Sequence, residues 1–304
     1  MTRKKKSTPS KRRSSPKSKV RKGADGRLKR FLKAFSVSAV TAFSIASCAF
    51  NPQLRDDLPF ALPQIDWLHS APSFSGTPSP AGLAQTSFAQ CPQFFPRKQP
   101  PVVPGKPALR ELCFTSFAIL HDGATKTPVF VAEKLDRRSL QAAQDIRRTD
   151  RFYPEARLPR AERAELEDYR GSGYSRGHMA PAGNMASDEA MAQSFSLANM
   201  VPQDQRHNGG PWNRIEQDTR KYVMRAKGSV YVFTGPVYHE RTRSIGPGKV
   251  GVPSHLFKLV YDVESGRSWV HWHENGPTAK VGPPISYEEF VRRTNLRLLP
   301  ASQG

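Results

Sequence analysis

The chain has 304 residues, a formal net charge of +21 at pH 7, and 37% hydrophobic and 10% aromatic residues. It shows no glycine period, no sustained heptad and at most one apolar span, which excludes collagen, a coiled coil and a polytopic membrane protein. Its 17 Phe and 4 Trp residues argue against wholesale disorder. The excess of positive charge indicates an anionic partner, either a nucleic acid or a membrane surface.

Two thirds of this charge lies in an amino-terminal arm. Residues 1–33 hold fifteen Lys and Arg against one Asp, a net charge of +14. A stretch so rich in like charges and so poor in apolar residues predicts a basic, disordered arm. The charge of the whole chain therefore does not show by itself that the folded part binds nucleic acid.

Residues 34–50 follow the arm as 17 uncharged residues rich in Ala, Ser, Val and Phe. A basic region followed by an apolar one is typical of a signal peptide or a single-span membrane anchor. The positive-inside rule keeps the arm in the cytosol and places the rest across the membrane. We expect an exported protein, in a bacterial periplasm, anchored in the membrane through residues 34–50 or secreted. Two alternatives stay open: a buried helix of the fold, and a lipoprotein cleavage box ending at Cys48.

The next stretch, residues 51–90, is predicted to be a Pro/Ser-rich linker. Residues 51–110 contain 12 of the 27 prolines. A folded domain is expected from residue 91 to residue 304. Near its start lie Cys91 and Cys113, which pair as a disulfide in an oxidising compartment and otherwise remain two free thiols.

Strand patterns dominate the folded region. Apolar runs at Phe114–Leu120 and Val129–Ala132 flank a turn cluster, and Val230–Val237 is a run of β-branched and aromatic residues. His255–Val263 and Ser268–His273 flank a second turn. These runs predict two hairpins and one further strand.

A helix is indicated between Ala132 and Val230. Residues at helical spacing fall on one face, with Pro211 suited to the first turn: Trp212, Ile215, Thr219, Tyr222 and Val223. Strands interrupted by helices predict an α+β fold.

The segment from Asp168 to Glu216 carries the residues of chemical interest. Arg176 and His178 share a Gly-rich turn, and three amides and a carboxylate follow: Asn184, Asn199, Asn208 and Glu216. Histidine suits general-base work near neutral pH, Asn and Glu offer oxygen ligands to Mg²⁺, and Arg binds phosphate. These groups are a minimal set for phosphodiester hydrolysis. Each is also common in ordinary turns, so spacing alone leaves both interpretations open.

The same segment resembles the DNA/RNA non-specific endonucleases, a ββα-metal family that includes endonuclease G and secreted bacterial nucleases. The family signature runs DRGH, a Pro-Ala segment, Asn-x-x-Pro-Gln, Asn and Trp-Asn-x-x-Glu. The matching residues occur here in the same order and with the same gaps: Ser175–His178, Met179–Ala182, Asn199–Gln203, Asn208 and Trp212–Glu216. The resemblance implies a ββα-metal nuclease core over residues 91–304, with a central, mainly antiparallel sheet flanked by helices.

The resemblance also implies a role for each matched residue. His178 is expected to be the general base that deprotonates the attacking water, and Arg176 to contact phosphate. Asn208 is expected to be the direct protein ligand of one Mg²⁺, with Mn²⁺ as the alternative ion. Glu216 is expected to act on this metal through water, and Asn199 to orient the loop of His178.

The family has one further arginine, some thirty residues before the base, which stabilises the transition state. Arg147 and Arg148 are the candidates, with Arg151 as a third. The opening Asp of the signature is Ser175 here, which also resembles the mitochondrial endo/exonuclease branch with its SRGHMAPAGN motif. We expect this change to alter supporting hydrogen bonds without abolishing the chemistry.

We therefore predict a Mg²⁺-dependent nuclease that acts on DNA and RNA with little base preference. A homodimer is a candidate assembly. The alternative is a membrane-tethered protein that binds nucleic acid without catalysis, which the basic arm and Ser175 favour.

Overall fold

The computed structural model describes residues 82–239 and 242–301. The predicted basic arm, the predicted signal peptide or anchor and most of the predicted linker lie outside the described residues. Among the residues that are described, no helix is both long and apolar enough to span a membrane.

Within these two ranges the chain forms twelve strands: β1 (Leu83–Gln85), β2 (Val102–Pro104), β3 (Leu109–Cys113), β4 (Phe117–Asp122), β5 (Thr127–Leu135), β6 (Ser175–His178), β7 (Met200–Gln203), β8 (Val230–Val237), β9 (Ser244–Ile245), β10 (Val250–Gly251), β11 (His255–Asp262) and β12 (Ser268–Glu274). Six of them build one sheet in the order β12-β11-β8-β5-β4-β3, and every neighbouring pair is antiparallel. The others form the pairs β1-β2, β6-β7 and β9-β10.

The helices of the described residues are short: α1 (Arg137–Ala142), α2 (Leu166–Tyr169), α3 (Asp188–Ser194), α4 (Gln205–His207), α5 (Asn213–Val223) and α6 (Tyr287–Thr294). A π-helical segment, Asn208–Trp212, joins α4 to α5. Single 3₁₀ turns complete the helical structure: Pro92–Phe94, Pro96–Lys98, Ala143–Asp145, Arg160–Glu162, Ala182–Asn184 and Leu197–Asn199. The predicted α+β fold with a central antiparallel sheet is confirmed.

Both faces of the sheet are covered, which is why β8 is apolar along nearly its whole length. On one face, Phe233 and Phe257 share a buried cluster with Phe88 from the amino-terminal segment and Phe290 from α6. The opposite face packs against the π-helical segment and α5, where Trp212 belongs to a second buried cluster. The motif-bearing segment lies on this second face.

Two predicted boundaries differ from the structure. Residues 82–90, predicted as linker, belong to the fold, because β1 pairs with β2 and Phe88 is only 1% exposed. The predicted first turn at Pro211 is a π-helical turn, and the α-helix begins two residues later, at Asn213.

A disulfide joins Cys91 to Cys113, with Cα atoms 5.8 Å apart. It ties the amino-terminal segment to β3, at one edge of the central sheet. The two half-cystines are 22 residues apart in the chain. The covalent link therefore holds the segment that carries Phe88 against the sheet.

Candidate active site

Strands β6 and β7 position the residues of the motif. They pair in antiparallel register with His178 opposite Met200. Because side chains alternate along a strand, Arg176 and His178 project to one side and Gly177 to the other. A Cβ on Gly177 would lie 2.6 Å from the Cβ of Gln203, so only glycine lets the two strands approach so closely.

Asn199 holds the turn that follows His178. Its buried Oδ1 accepts a hydrogen bond from the backbone N–H of Ala180, and its Nδ2 donates to the carbonyls of Ala180 and Ser194, all at 2.9 Å. The amide group therefore binds the backbone at three points. Asn199 lies behind the site and fixes the chain next to His178.

The imidazole of His178 sits among aromatic rings. Its centroid lies 5.0 Å from that of Phe195 and 5.8 Å from that of Phe152. Its Nε2 is buried and has no hydrogen-bond partner among the described residues. Burial, and to a smaller extent the positive charge of Arg148, lower the pKa of His178 to about 3. The ring is therefore neutral at pH 7, the form that accepts a proton.

A cavity of about 590 Å³ opens beside these rings, and three of the predicted site residues line it: Arg148, Arg176 and Asn208. The rest of the lining is mixed in character: Phe152, Leu166, Tyr169, Arg170, Tyr174 and Ser175. His178 is not on the lining itself but packs against Phe152, which is. The structure thus brings Arg148, Arg176 and Asn208 together in one cavity, whereas His178, Asn199, Glu216 and Arg147 do not line it.

The cavity arginines lie over aromatic rings. The guanidinium of Arg176 is 4.1 Å from the ring centroid of Phe152, and that of Arg148 is 5.0 Å from the centroid of Phe195, as in cation–π pairs. Arg148 also pairs with exposed Asp150 at 2.6 Å. The donors of Arg176 make no hydrogen bond or ion pair within the described residues and can bind a phosphate.

The three arginines proposed for the transition state differ in their position relative to the cavity. Arg148 lines the cavity, and its charge acts on His178 and on Glu216. Arg147 and Arg151 do not line it. Of the three candidates, Arg148 is the one on the cavity lining.

Asn208 is the first residue of the π-helical segment. Such wide turns often occur at functional sites, and this one contains Pro211, which has no N–H to donate. Asn208 is half-buried on the cavity lining, and its side-chain amide makes no hydrogen bond with a described residue. Its oxygen is therefore available to a ligand.

Glu216 lies in the first turn of α5 and is partly buried. Burial raises the pKa of Glu216, and the positive charges of Lys258, Arg220 and Arg148 oppose this rise. Glu216 does not line the cavity that Arg148, Arg176 and Asn208 share.

A buried polar network lies beneath α5. Asn184 Nδ2 donates to Glu133 Oε1 at 2.9 Å, and Arg220 donates to Asn184 Oδ1 at 3.4 Å. Lys258, 1% exposed, donates to the Thr234 hydroxyl at 2.6 Å. Burial raises the pKa of Glu133 to about 7, against the opposing charge of Lys258. This network links the central sheet to the loop after His178 and to α5.

Sequence reasoning missed Glu133 and Lys258. The available signal was a charged residue inside a mostly apolar strand, in PVFVAEKL for Glu133 and HLFKLVYD for Lys258. Side chains in central strands are buried on both faces, so a charge there needs a partner. The partners, Asn184 for Glu133 and Thr234 for Lys258, lie far away in the chain, so no local pattern reveals them.

The donor chemistry of the site fits a magnesium ion. Among residues 82–239 and 242–301, no group of three or more His, Cys, Asp or Glu side chains is placed to hold a metal. One amide oxygen at Asn208, on the cavity lining and without a partner in the described part of the chain, suits an ion that keeps most of its ligands as water and substrate phosphate.

Residues 100–295 match the profile of the family described as "DNA/RNA non-specific endonuclease". This is well over half of the chain, and the protein belongs to that family. The family predicted from the motif is confirmed.

Individual relatives agree with this assignment. The Homo sapiens protein named "Nuclease EXOG, mitochondrial" is 41% identical over 159 residues, which cover 49% of this chain and 43% of that protein. The Homo sapiens protein named "Endonuclease G, mitochondrial" is 34% identical over 200 residues, 62% of this chain and 66% of that protein. The chain thus spans less than half the length of the EXOG relative.

A solved structure of an EndoG/EndoGI complex has a similar fold. It superposes with a TM-score of 0.55 at 26% sequence identity and covers 64% of this chain and 86% of that one. Its title describes a mechanism of EndoG inhibition. The similarity extends over the greater part of both chains.

Proposed function

We propose that this protein is a Mg²⁺-dependent, non-specific nuclease that hydrolyses phosphodiester bonds of DNA and RNA, with Mn²⁺ as an alternative ion. The observation that carries the proposal is the shared cavity of Arg148, Arg176 and Asn208 beside His178. Membership of an endonuclease family supports the same activity.

In this proposal His178 takes the proton of the attacking water. Burial keeps its imidazole neutral, so no proton has to leave the ring before catalysis. Its Nε2 has no partner in the described part of the chain. Asn199 positions the base through the backbone of Ala180.

Arg176 and Arg148 bind the oxygens of the scissile phosphate, as planar guanidinium groups do. Asn208 holds the Mg²⁺ directly, and Glu216 holds it through water. When bound, the metal ion neutralises charge that develops on the phosphate and on the leaving oxygen. These roles involve phosphate and metal only, so we expect low sequence specificity and a strong salt dependence of binding.

Nicking of supercoiled plasmid DNA tests the proposal. We expect the full chain to nick and linearise the plasmid in the presence of Mg²⁺. Cleavage should stop when EDTA is added and resume when Mg²⁺ or Mn²⁺ is restored. His178→Ala is expected to slow cleavage about 10²–10⁴-fold, the usual contribution of a general base. The matched control His239→Ala removes an exposed histidine outside the cavity lining and should cleave like the wild type.

The competing function is nucleic-acid binding without catalysis. It is favoured by Ser175, which stands on the cavity lining where the family signature has Asp. This function predicts that the wild type shifts DNA in a gel but never cuts it, and that His178→Ala changes nothing. That result would replace the nuclease proposal.

We also propose that the protein is exported, with residues 34–50 as its signal peptide or anchor. The Cys91–Cys113 disulfide supports an oxidising compartment, because cytosolic thiols are kept reduced. The EXOG and Endonuclease G relatives are named as mitochondrial proteins. Intact mass of the mature chain from membrane and soluble fractions distinguishes cleavage, lipidation at Cys48 and a retained anchor. An uncleaved cytoplasmic product would contradict export.

A further inference from the structure

The side-chain amide of Asn275 joins three segments of the fold. Asn275 directly follows β12 and is partly buried. Its Oδ1 accepts a hydrogen bond from the backbone N–H of Asp204 at 2.8 Å, and its Nδ2 donates to the carbonyls of Pro202 and Pro253, each at 3.0 Å. Both donors and one acceptor position of the amide thus bind backbone groups.

Two of these contacts hold the turn between β7 and α4. Pro202 is a residue of β7, and Asp204 is the N-cap residue of α4. The third contact, with Pro253, adds the loop before β11, a strand of the central sheet. Asn275 therefore fixes the turn to the ends of two central strands, β11 and β12.

Asp204 connects Asn275 to Asn208. The carbonyl of Asp204 accepts a hydrogen bond from the backbone N–H of Asn208 at 2.8 Å. Its carboxylate accepts from the backbone N–H groups of Arg206 at 2.9 Å and His207 at 3.0 Å, as the side chain of an N-cap residue does. Two successive hydrogen bonds thus join the amide of Asn275 to the backbone of Asn208.

The chain around Asn208 needs support of this kind. Helix α4 has only three residues, and Asn208 is followed by Gly209 and Gly210, which leave the backbone more conformational freedom than any other residue type. Neither the short helix nor the glycines fix the direction of the Asn208 amide. Its place on the cavity lining therefore depends on hydrogen bonds that hold the turn from outside.

We propose that Asn275 is a positioning residue for the metal ion, which holds the turn from which Asn208 binds Mg²⁺. Asn275 does not line the cavity and contacts neither the metal nor the phosphate. The inference rests on the proposed nuclease function and adds a residue to it. Removal of a residue that orients a metal ligand typically lowers metal affinity about 10–100-fold.

Binding of Mn²⁺ to the metal-free full chain, without nucleic acid, tests this role. Electron paramagnetic resonance of free Mn²⁺ reports binding independently of cleavage. We expect Asn275→Ala to raise the Kd for Mn²⁺ about 10-fold or more. The Mg²⁺ concentration for half-maximal plasmid nicking should rise by a similar factor, and the cleavage rate should return toward that of the wild type at saturating Mg²⁺.

Binding of a short DNA duplex in EDTA separates the metal from the phosphate. Arg148 and Arg176 line the cavity, and Asn275→Ala leaves both side chains in place. The Kd for the duplex should therefore equal that of the wild type, although Mn²⁺ binding is weakened.

Gln85→Ala is the matched control. The Gln85 amide in β1 also binds backbone groups, since its Nε2 donates to the carbonyls of Thr86 at 3.0 Å and Pro100 at 2.9 Å, but it lies outside the central sheet and the cavity lining. This variant should lose stability and bind Mn²⁺ like the wild type. Asn275→Asp keeps an acceptor for the N–H of Asp204 but loses both donated bonds, so its Mn²⁺ affinity should be intermediate.

Two results would overturn the inference. One is wild-type Mn²⁺ affinity and Mg²⁺ requirement in whichever of the two Asn275 variants fold, as judged by circular dichroism. The other is an equal loss of Mn²⁺ affinity in Gln85→Ala. Both differ from failure of the proposed function, in which the wild type itself neither binds Mn²⁺ nor cuts the plasmid in Mg²⁺.

Discussion

His178 packs edge to face against Phe195, with ring centroids 5.0 Å apart and an interplanar angle of 88°. The contact removes water from the imidazole, and this burial is the main reason that its pKa falls to about 3. The Arg148 guanidinium lies over the same phenyl ring and adds a smaller effect of the same sign. One aromatic side chain thus positions both the proposed base and an arginine of the cavity.

We expect the imidazole of His178 to stay neutral in the metal-free protein down to about pH 4. An ordinary histidine is half-protonated near pH 6.5, whereas burial lowers the pKa of His178 to about 3. Heteronuclear NMR of ¹⁵N-labelled histidine side chains measures this directly, and His178→Asn assigns the signal by its disappearance. A titration midpoint near pH 6 would show that the ring is solvated in solution.

The same shift makes stability depend on pH. Since the pKa of His178 is lowered in the folded state, its imidazole binds a proton near pH 6.5 in the unfolded chain but stays unprotonated in the native protein. Stability from this group is therefore full above pH 6.5 and is lost as the pH falls toward 3, by about 1.4 kcal/mol per pH unit. Urea unfolding of the wild type and of His178→Asn across this range should show a shallower acid loss in the variant.

Gly177→Ala should destabilise the protein and slow cleavage. The added methyl group would lie 2.6 Å from the Cβ of Gln203, a backbone-proximal atom that cannot rotate away. Overpacking of this kind costs about 1–3 kcal/mol, and the strand that carries His178 has to shift. Urea denaturation gives the first effect and plasmid nicking the second. The control Gly282→Ala places its methyl group in open space and should change neither.

The limits of a strand were predicted well from the sequence where the strand is buried on both faces of the sheet, as β8 is. Val230–Val237 has the same limits in the pattern and in the structure, because a continuous apolar run ended by a turn leaves little choice of register or length. It predicted the site through the motif, whose residues recur at fixed spacing. Arg176 and Asn208 line one cavity because β6 pairs with β7, and α4 and the π-helical segment follow β7 directly.

What could not be predicted depends on contacts between distant segments. Glu133 meets Asn184 across 51 residues of chain, and Phe88 packs in the core although it follows a Pro/Ser-rich stretch. The cavity lining also includes Leu166 from α2 and Tyr174 from the loop before β6, which follow no periodic pattern. Local propensity carries no information on such pairs, which only the closed fold brings together.

Glu133→Gln should make the protein less sensitive to rising pH. Burial raises the pKa of Glu133 from 4.5 to about 7, so the native state keeps a proton that the unfolded chain releases. Stability is therefore lost as the pH rises from about 4.5 to 7, by about 1.4 kcal/mol per unit for this group. Glutamine is always neutral and can preserve the hydrogen bond from Asn184. The variant should gain stability over the wild type progressively across this window.

Urea unfolding at several pH values checks this. The reference is pH 4.5, where the buried carboxyl of Glu133 is protonated and therefore uncharged, like the amide of glutamine. Parallel stability curves for the two proteins from pH 4.5 to 8 would show that Glu133 is ionised in the native state, paired with Lys258. Nicking activity of the same variant reports whether the network beneath α5 also supports catalysis.

Loss of the Cys91–Cys113 disulfide should lower the free energy of unfolding by about 3 kcal/mol, as expected when a cross-link over 22 residues is removed from the unfolded chain. The double variant Cys91→Ala/Cys113→Ala and the wild type in dithiothreitol should show similar urea curves. Dithiothreitol should leave the double variant unchanged, which controls for effects on Cys48.

Because Cys91 is 1% exposed and belongs to the same buried cluster as Phe88, loosening of residues 82–98 should appear as faster amide exchange there. If the reduced wild type unfolds at the same urea concentration as the oxidised protein, packing of Phe88 and Phe95 alone holds this segment.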